Sequence, residues 1–135
     1  ISYLDGLQLI MDSAKYFSKA ELSCSHCGDC EMEPAFLEEL DKLREAFGKP
    51  MTLSSAYRCL EHPVEIKKAK GGSHTKGRAV DVLVKTEDAF KLLRIATTMN
   101  FTGIGFSQKG EHGSRFIHLD NLTGPEFTRP TIWSY

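Results

Sequence analysis

No stretch of this 135-residue chain is apolar for long enough to cross a membrane, and no charged-then-apolar segment opens it. Membrane insertion is therefore not expected, and synthesis in the cytoplasm without an export signal is the simplest expectation. Charge of one sign is also lacking. Seventeen Lys and Arg stand against 18 Asp and Glu, a formal net charge of -1. With no basic stripe to follow a phosphate backbone, nucleic acid is not an expected partner. Repeats, low-complexity tracts and linkers are missing too, so residues 1–135 read as one domain. What is present is ordinary for a folded protein: 41% hydrophobic and 26% charged residues, enough for one core.

Apolar spacing outlines the elements. Leu4 to Ala14 reads as a short helix with Leu7, Ile10 and Met11 on one side. A clearer helix starts at Pro34, carries Phe36, Leu37, Leu40, Leu43 and Phe47 at helical spacing, and stops at Gly48. That stripe reads as core. Met51 to Tyr57 and Ala79 to Val84 read as strands, and Leu60 to Lys76, with its glycines and lysines, as a long exposed loop. Thr86 is placed to cap a helix carrying Ala89, Leu92, Leu93, Ala96 and Met99. Thr102 to Phe106 and Arg115 to Leu119 complete the strands, joined by the turn-rich Ser107 to Ser114. Helices on a small, mostly antiparallel sheet give an α+β domain.

Three residues in this frame carry ligand chemistry. Strand alternation puts Val80, Val82 and Val84 on one face and Asp81 on the other. A buried carboxylate needs a cation, a metal or several donors. His118 lies in a second strand, on the face opposite Ile117 and Leu119, and His74 comes shortly before the Asp81 strand. Alone, each reads more simply as a core histidine or a structural ion pair. Together they match a hydrolytic zinc set, three protein ligands with a fourth position left for water.

The runs Ser55-Ala56-Tyr57-Arg58, Ser73-His74, Gly77-Arg78-Ala79-x-Asp81 and His118-Leu119-Asp120 resemble the zinc D-alanyl-D-alanine carboxypeptidases and phage or bacterial peptidoglycan endopeptidases. The resemblance covers about residues 17–122 and extends to the superfamily that includes the zinc-bearing Hedgehog domain. It implies a Hedgehog/DD-peptidase-like fold and a zinc ion held by His74, Asp81 and His118. It also implies hydrolysis of an amide bond in the peptidoglycan stem peptide, by a monomer of phage or endolysin type acting at the bacterial cell wall. One departure is Gly72, where many members carry Ser two residues before the first His.

Roles for neighbouring residues follow from the same likeness. Arg58 is expected to hold a substrate carboxylate or carbonyl, as a guanidinium does well. The family places a proton-transferring residue a few positions before the last zinc His. Arg115 stands three positions before and cannot act as a base, so His112 is preferred, with Glu111 second. Tyr57 lines the pocket or belongs to the core. Ser73 bonds near the metal or substrate, or is merely solvated. Asp120 either orients His118 or caps a turn.

Cys24, Cys27, Cys30 and Cys59 have spacing that suits a structural zinc, with disulfides or free thiols as alternatives and His26 or His62 as substitute ligands. Two other readings remain open: a non-catalytic zinc-bearing binding module, and a cysteine-based zinc or redox protein.

Overall fold

The computed structural model describes residues 14–68 and 71–135; the helix expected from Leu4 lies, apart from Ala14, outside the described residues. The first described helix, α1 (Lys19–Leu22), is closed by reciprocal hydrogen bonds between Ser18 and Glu21. It buries Leu22, whose carbonyl accepts from the Tyr57 N–H at 3.3 Å.

The long helix is α2 (Pro34–Phe47). Pro34 sits in its first turn, where no N–H is needed, and Gly48 ends it at φ 79° with its N–H donating to the Arg44 carbonyl. Phe36, Leu37, Leu40, Leu43 and Phe47 are all buried, as their spacing requires. Each contributes about 1.5–3 kcal/mol by leaving water.

Five strands follow: β1 (Thr52–Ser55), β2 (Ala79–Leu83), β3 (Gly103–Ser107), β4 (Phe116–Asp120) and β5 (Thr131–Ser134). Their order in the sheet is β1-β2-β4-β3-β5, antiparallel throughout except for the parallel pair β3–β5. The fold is α+β, as the alternation predicts. Val80, Val82, Ile104, Ile117 and Leu119 share one core with the apolar stripe of α2 and with Leu92 and Ala96 of the helix at Thr86–Ala96. The opposite face carries Asp81 and His118, cross-strand partners in the β2–β4 ladder.

Two expectations need correction, and one strand was not expected. Residues 60–76 are not one exposed loop: they contain α3 (Pro63–Ile66) and a 3-10 turn (Ser73–Lys76), and they bury Glu65 and His74. Polar pairing rather than apolar burial orders this segment, which hydrophobic spacing does not reveal. Thr86 makes no side-chain cap for α4 (Thr86–Ala96); Lys85 occupies the cap position without a side-chain bond, and Thr86 has φ 48°. The strand β5 went unforeseen.

Gly77 links the His74 turn to β2. Its φ is 70°, and an added Cβ would collide with the Glu31 carbonyl oxygen. Meanwhile the Gly77 carbonyl accepts from the Glu33 N–H at 2.8 Å, joining the turn to the start of α2. Gly77→Ala is expected to cost about 2–4 kcal/mol of stability, measured as a lowered urea midpoint with unchanged slope. An unaltered midpoint would show that the turn relaxes freely.

Candidate metal centre and substrate cleft

His74, Asp81 and His118 converge. His74 is delivered by the 3-10 turn, Asp81 by the middle of β2, and His118 by the middle of β4 directly opposite. All three are buried, and one ligating atom from each lies within 4.8 Å of the others.

The rings are held from behind. His74 Nδ1–H donates to the Ala56 carbonyl at 2.8 Å, and His118 Nε2–H donates to Asp120 Oδ2 at 2.7 Å. These tautomers are assigned from the acceptors present. Each ring therefore turns its other nitrogen to the same oxygen: His74 Nε2 lies 3.3 Å and His118 Nδ1 3.0 Å from Asp81 Oδ1. Two imidazole nitrogens and a carboxylate oxygen are the donors of hydrolytic zinc sites, and acceptors on the far nitrogens are their usual support. The residues fit zinc.

Charge reinforces this. Burial works against ionising Asp81, but the His118 and His74 rings beside it, which donate to it in their protonated forms, outweigh it and hold the carboxyl well below the usual carboxylate range. Burial also disfavours a charged His118, yet Asp120 and Asp81 together raise its pKa. Asp120, buried but bonded by Arg129 and His118, is lowered to about 2. The field between Asp81 and the two rings favours a positive charge, whether proton or metal ion.

Outer partners complete the arrangement. Arg129 grips Asp120 with Nε and Nη2 at 2.9 and 2.7 Å, and the Trp133 ring lies 5.1 Å from that of His118. Both reach across β3, where glycines leave room: a Cβ on Gly103 would meet Asp120 and Arg129, and one on Gly105 would meet Trp133. On the other flank, Arg58 Nη2 is 3.6 Å from Asp81 Oδ2, Nη1 donates to Glu65 at 2.9 Å, and Nε donates to Ser55 at 3.0 Å. Glu65 is buried, which opposes its ionisation, but the Gly72 N–H, Arg58 and Lys68 lower its pKa. A cleft of about 620 Å³ runs beside β1 and meets this flank through Ser55, Tyr57 and Arg58. His74, Asp81 and His118 are not among the residues that line it; Arg58 is the link, lining the cleft and approaching Asp81.

The sequence pattern of the Peptidase M15 family matches residues 15–120. The chain belongs to that family. It is 30% identical over 101 residues to the peptidoglycan L,D-endopeptidase MepK of Escherichia coli (strain K12), an overlap of 70% of this chain and 52% of that protein. The MepK proteins of Escherichia coli O157:H7 and Shigella flexneri give the same figures. The chain thus spans about half the length of the curated relatives it matches.

Membership in the M15 family bears out the motif resemblance, while the geometry sorts the individual residues. Asp120 orients His118 and also accepts from the Leu122 N–H at 3.3 Å, so the two roles coexist. Tyr57 both lines the cleft and is buried. Its hydroxyl donates to Glu31 at 2.6 Å, and that bond, with burial, raises its pKa. Ser73 opens the 3-10 turn with no side-chain hydrogen bond among the described residues; Ser55 is the serine beside His74, at 3.5 Å.

His112 and Glu111 are exposed, with no hydrogen bond or ion pair to the three candidate ligands among the described residues. They lie past the Leu83 end of β2, about 10 Å along the strand from Asp81, whereas Arg58 approaches from the His74 side. Arg115 braces that turn through the Gly110 carbonyl. Cys30 is not among the converging sulfurs of Cys24, Cys27 and Cys59; it packs against the core.

Glu65, Arg129 and Trp133 escaped the sequence reading, because none sits in a ligand-spaced motif. The regular signal available was the short β-prone run Thr131 to Ser134, which would have placed Trp133 on a strand. Replacing Asp120 by Asn is expected to weaken zinc binding about 10- to 100-fold in chelator competition. Unchanged affinity would mean that the carboxylate does not hold the ring.

Proposed function

We propose that residues 1–135 act as one zinc-dependent peptidase domain that cuts an internal amide bond in the peptidoglycan stem peptide. The observation carrying this reading is the convergence of His74 Nε2 and His118 Nδ1 on Asp81 Oδ1, with both rings locked from behind. A zinc ion held there supplies the Lewis acidity that activates water and polarises the scissile carbonyl.

The chain's own residues do the rest. Arg58 sets a guanidinium beside Asp81, facing the cleft, where it donates a hydrogen bond to the neutral substrate carbonyl. Ser55 and Glu65 fix its plane, so no reorganisation is needed at the moment of reaction. Trp133 shields the His118 side from water.

An endopeptidase is favoured over a carboxypeptidase for a specific reason. Glu65 already engages the Arg58 guanidinium at 2.9 Å, and Asp81 adds a second negative charge, leaving little positive charge to anchor a free terminal carboxylate. The names of the MepK relatives agree with this choice. His112, with Glu111 second, keeps the proton-transfer role only if its turn swings toward the cleft, so their single Ala variants decide whether either takes part.

Incubation with purified peptidoglycan, followed by mass analysis of the products, tests the reading. Conversion of cross-linked fragments to uncross-linked ones is expected. Release of free D-alanine with cross-links intact would replace it with the carboxypeptidase, and full zinc content without hydrolysis would leave a binding module. Asp81→Ala and His118→Ala should abolish cutting and zinc binding at the His74–Asp81–His118 site. Arg58→Lys should lower turnover about 100-fold with zinc content unchanged; equal turnover would remove Arg58 from the mechanism.

A further inference from the structure

A second set of ligand-type atoms converges away from the His74–Asp81–His118 site. The sulfurs of Cys24, Cys27 and Cys59 lie within 4.8 Å of one another, and all are free thiols. His26 brings Nδ1 to 3.5 Å from Cys59 Sγ, although it stands outside the group of three sulfurs that are mutually within 4.8 Å. The turn that gathers them is tight. The Gly28 N–H donates to the Cys24 carbonyl at 2.8 Å, and the Cys24 N–H donates to the Asp29 carbonyl at 2.7 Å. Cys59 arrives from a segment 35 positions later in sequence.

Cys24 Sγ accepts two backbone hydrogen bonds, from the His26 N–H at 3.4 Å and the Cys59 N–H at 3.3 Å. Hydrogen bonds from peptide N–H groups stabilise a thiolate more than a neutral thiol. A disulfide explains the cluster poorly, since any pair formed leaves the third sulfur unused. A metal ion uses all three.

We propose that Cys24, Cys27 and Cys59 as thiolates, with His26 as the fourth ligand, hold one structural zinc ion. Binding forms three Zn–S bonds and one Zn–N bond and releases the three thiol protons to solvent, with no change of oxidation state. Cys30 is excluded because its sulfur lies outside the group of three that come within 4.8 Å of one another. His62 is nearby, but its Nδ1 accepts from the Val64 N–H at 3.1 Å and its Nε2 pairs with the Ser25 hydroxyl at 3.1 Å, so both ring nitrogens are engaged. Cys59 directly follows Arg58, so the ion staples the amino-terminal turn to the segment that carries the guanidinium beside Asp81.

The test is metal analysis of the full chain purified under reducing conditions, together with cobalt substitution. Two zinc ions per chain are expected, falling to one in Cys27→Ser, which alters an exposed side chain and leaves the core alone. Cobalt loading should give the near-ultraviolet thiolate-to-cobalt band in the unsubstituted chain and in Asp81→Asn. The band should be lost in Cys27→Ser, weakened and shifted in His26→Ala, and kept in Cys30→Ser. Absence of the band in the unsubstituted chain, or a chain mass two hydrogens lower showing a disulfide, would overturn the site. Loss of the band in Cys30→Ser but not in His26→Ala would overturn the ligand assignment. None of these readouts depends on peptidase activity.

Discussion

Asp81 is 6% exposed in the second strand of the sheet, and an ionised carboxylate there costs several kcal/mol unless positive charge and hydrogen-bond donors surround it. His74, His118 and Arg58 meet that need at 3.3, 3.0 and 3.6 Å. Each then creates a need of its own. His74 requires the Ala56 carbonyl, His118 requires Asp120, and Arg58 requires Glu65; Asp120 in turn requires Arg129, and Glu65 takes Lys68 and the Gly72 N–H. One buried charge thereby organises residues from the 3-10 turn, two strands, the segment after β1, α3 and the segment before β5. Among the described residues no buried side-chain polar atom is left unpaired.

The two faces of the sheet divide the work. The apolar face, with α2 and α4 packed on it, supplies stability and fixes strand register. Register matters because a one-residue slip of β4 would send His118 into the core and Ile117 into the polar site. The polar face can then hold a charged network that contributes little net stability but has a unique geometry. The glycines of β3 belong to this division: they give up packing on the polar face so that Arg129 and Trp133 can lie over it.

How much of this was legible follows from which interactions leave a periodic trace. The α2 stripe and the alternation of Val80, Asp81 and Val82 reflect burial on one side, so apolar spacing revealed them. The three candidate ligands were legible only together: each alone reads as a core histidine or an ion pair, but the set suits a metal and the motifs match a family. Glu65 was hidden: its helix is four residues long and is ordered by ion pairs, so it looked like a polar loop. β5 was hidden because it pairs in parallel at the sheet edge and half its side chains are exposed. Glu111 and His112 are close to His118 in sequence, but the extended strand between places their turn by the Leu83 end of β2, a position that spacing along the chain does not give.

The segment before α2 poses a separate problem of attachment. Its described part has only a four-residue helix, and it is held through Leu22, Phe17 and Met32 in the core, the Asp41 carboxylate accepting from the N–H groups of Lys15 and Tyr16, and the Leu22–Tyr57 backbone bond. Such a segment orders many residues for little buried apolar area, and conformational entropy opposes it. Yet it forms one wall of the cleft, with Glu21, Cys24 and Gly28 facing Ser55 and Arg58. A cross-link at Cys24, Cys27 and Cys59, as proposed above, would oppose that entropy and tie the two cleft walls together. Through Cys59 it would add to the hold on the Arg58 backbone, whose N–H already donates to the His74 carbonyl at 3.1 Å.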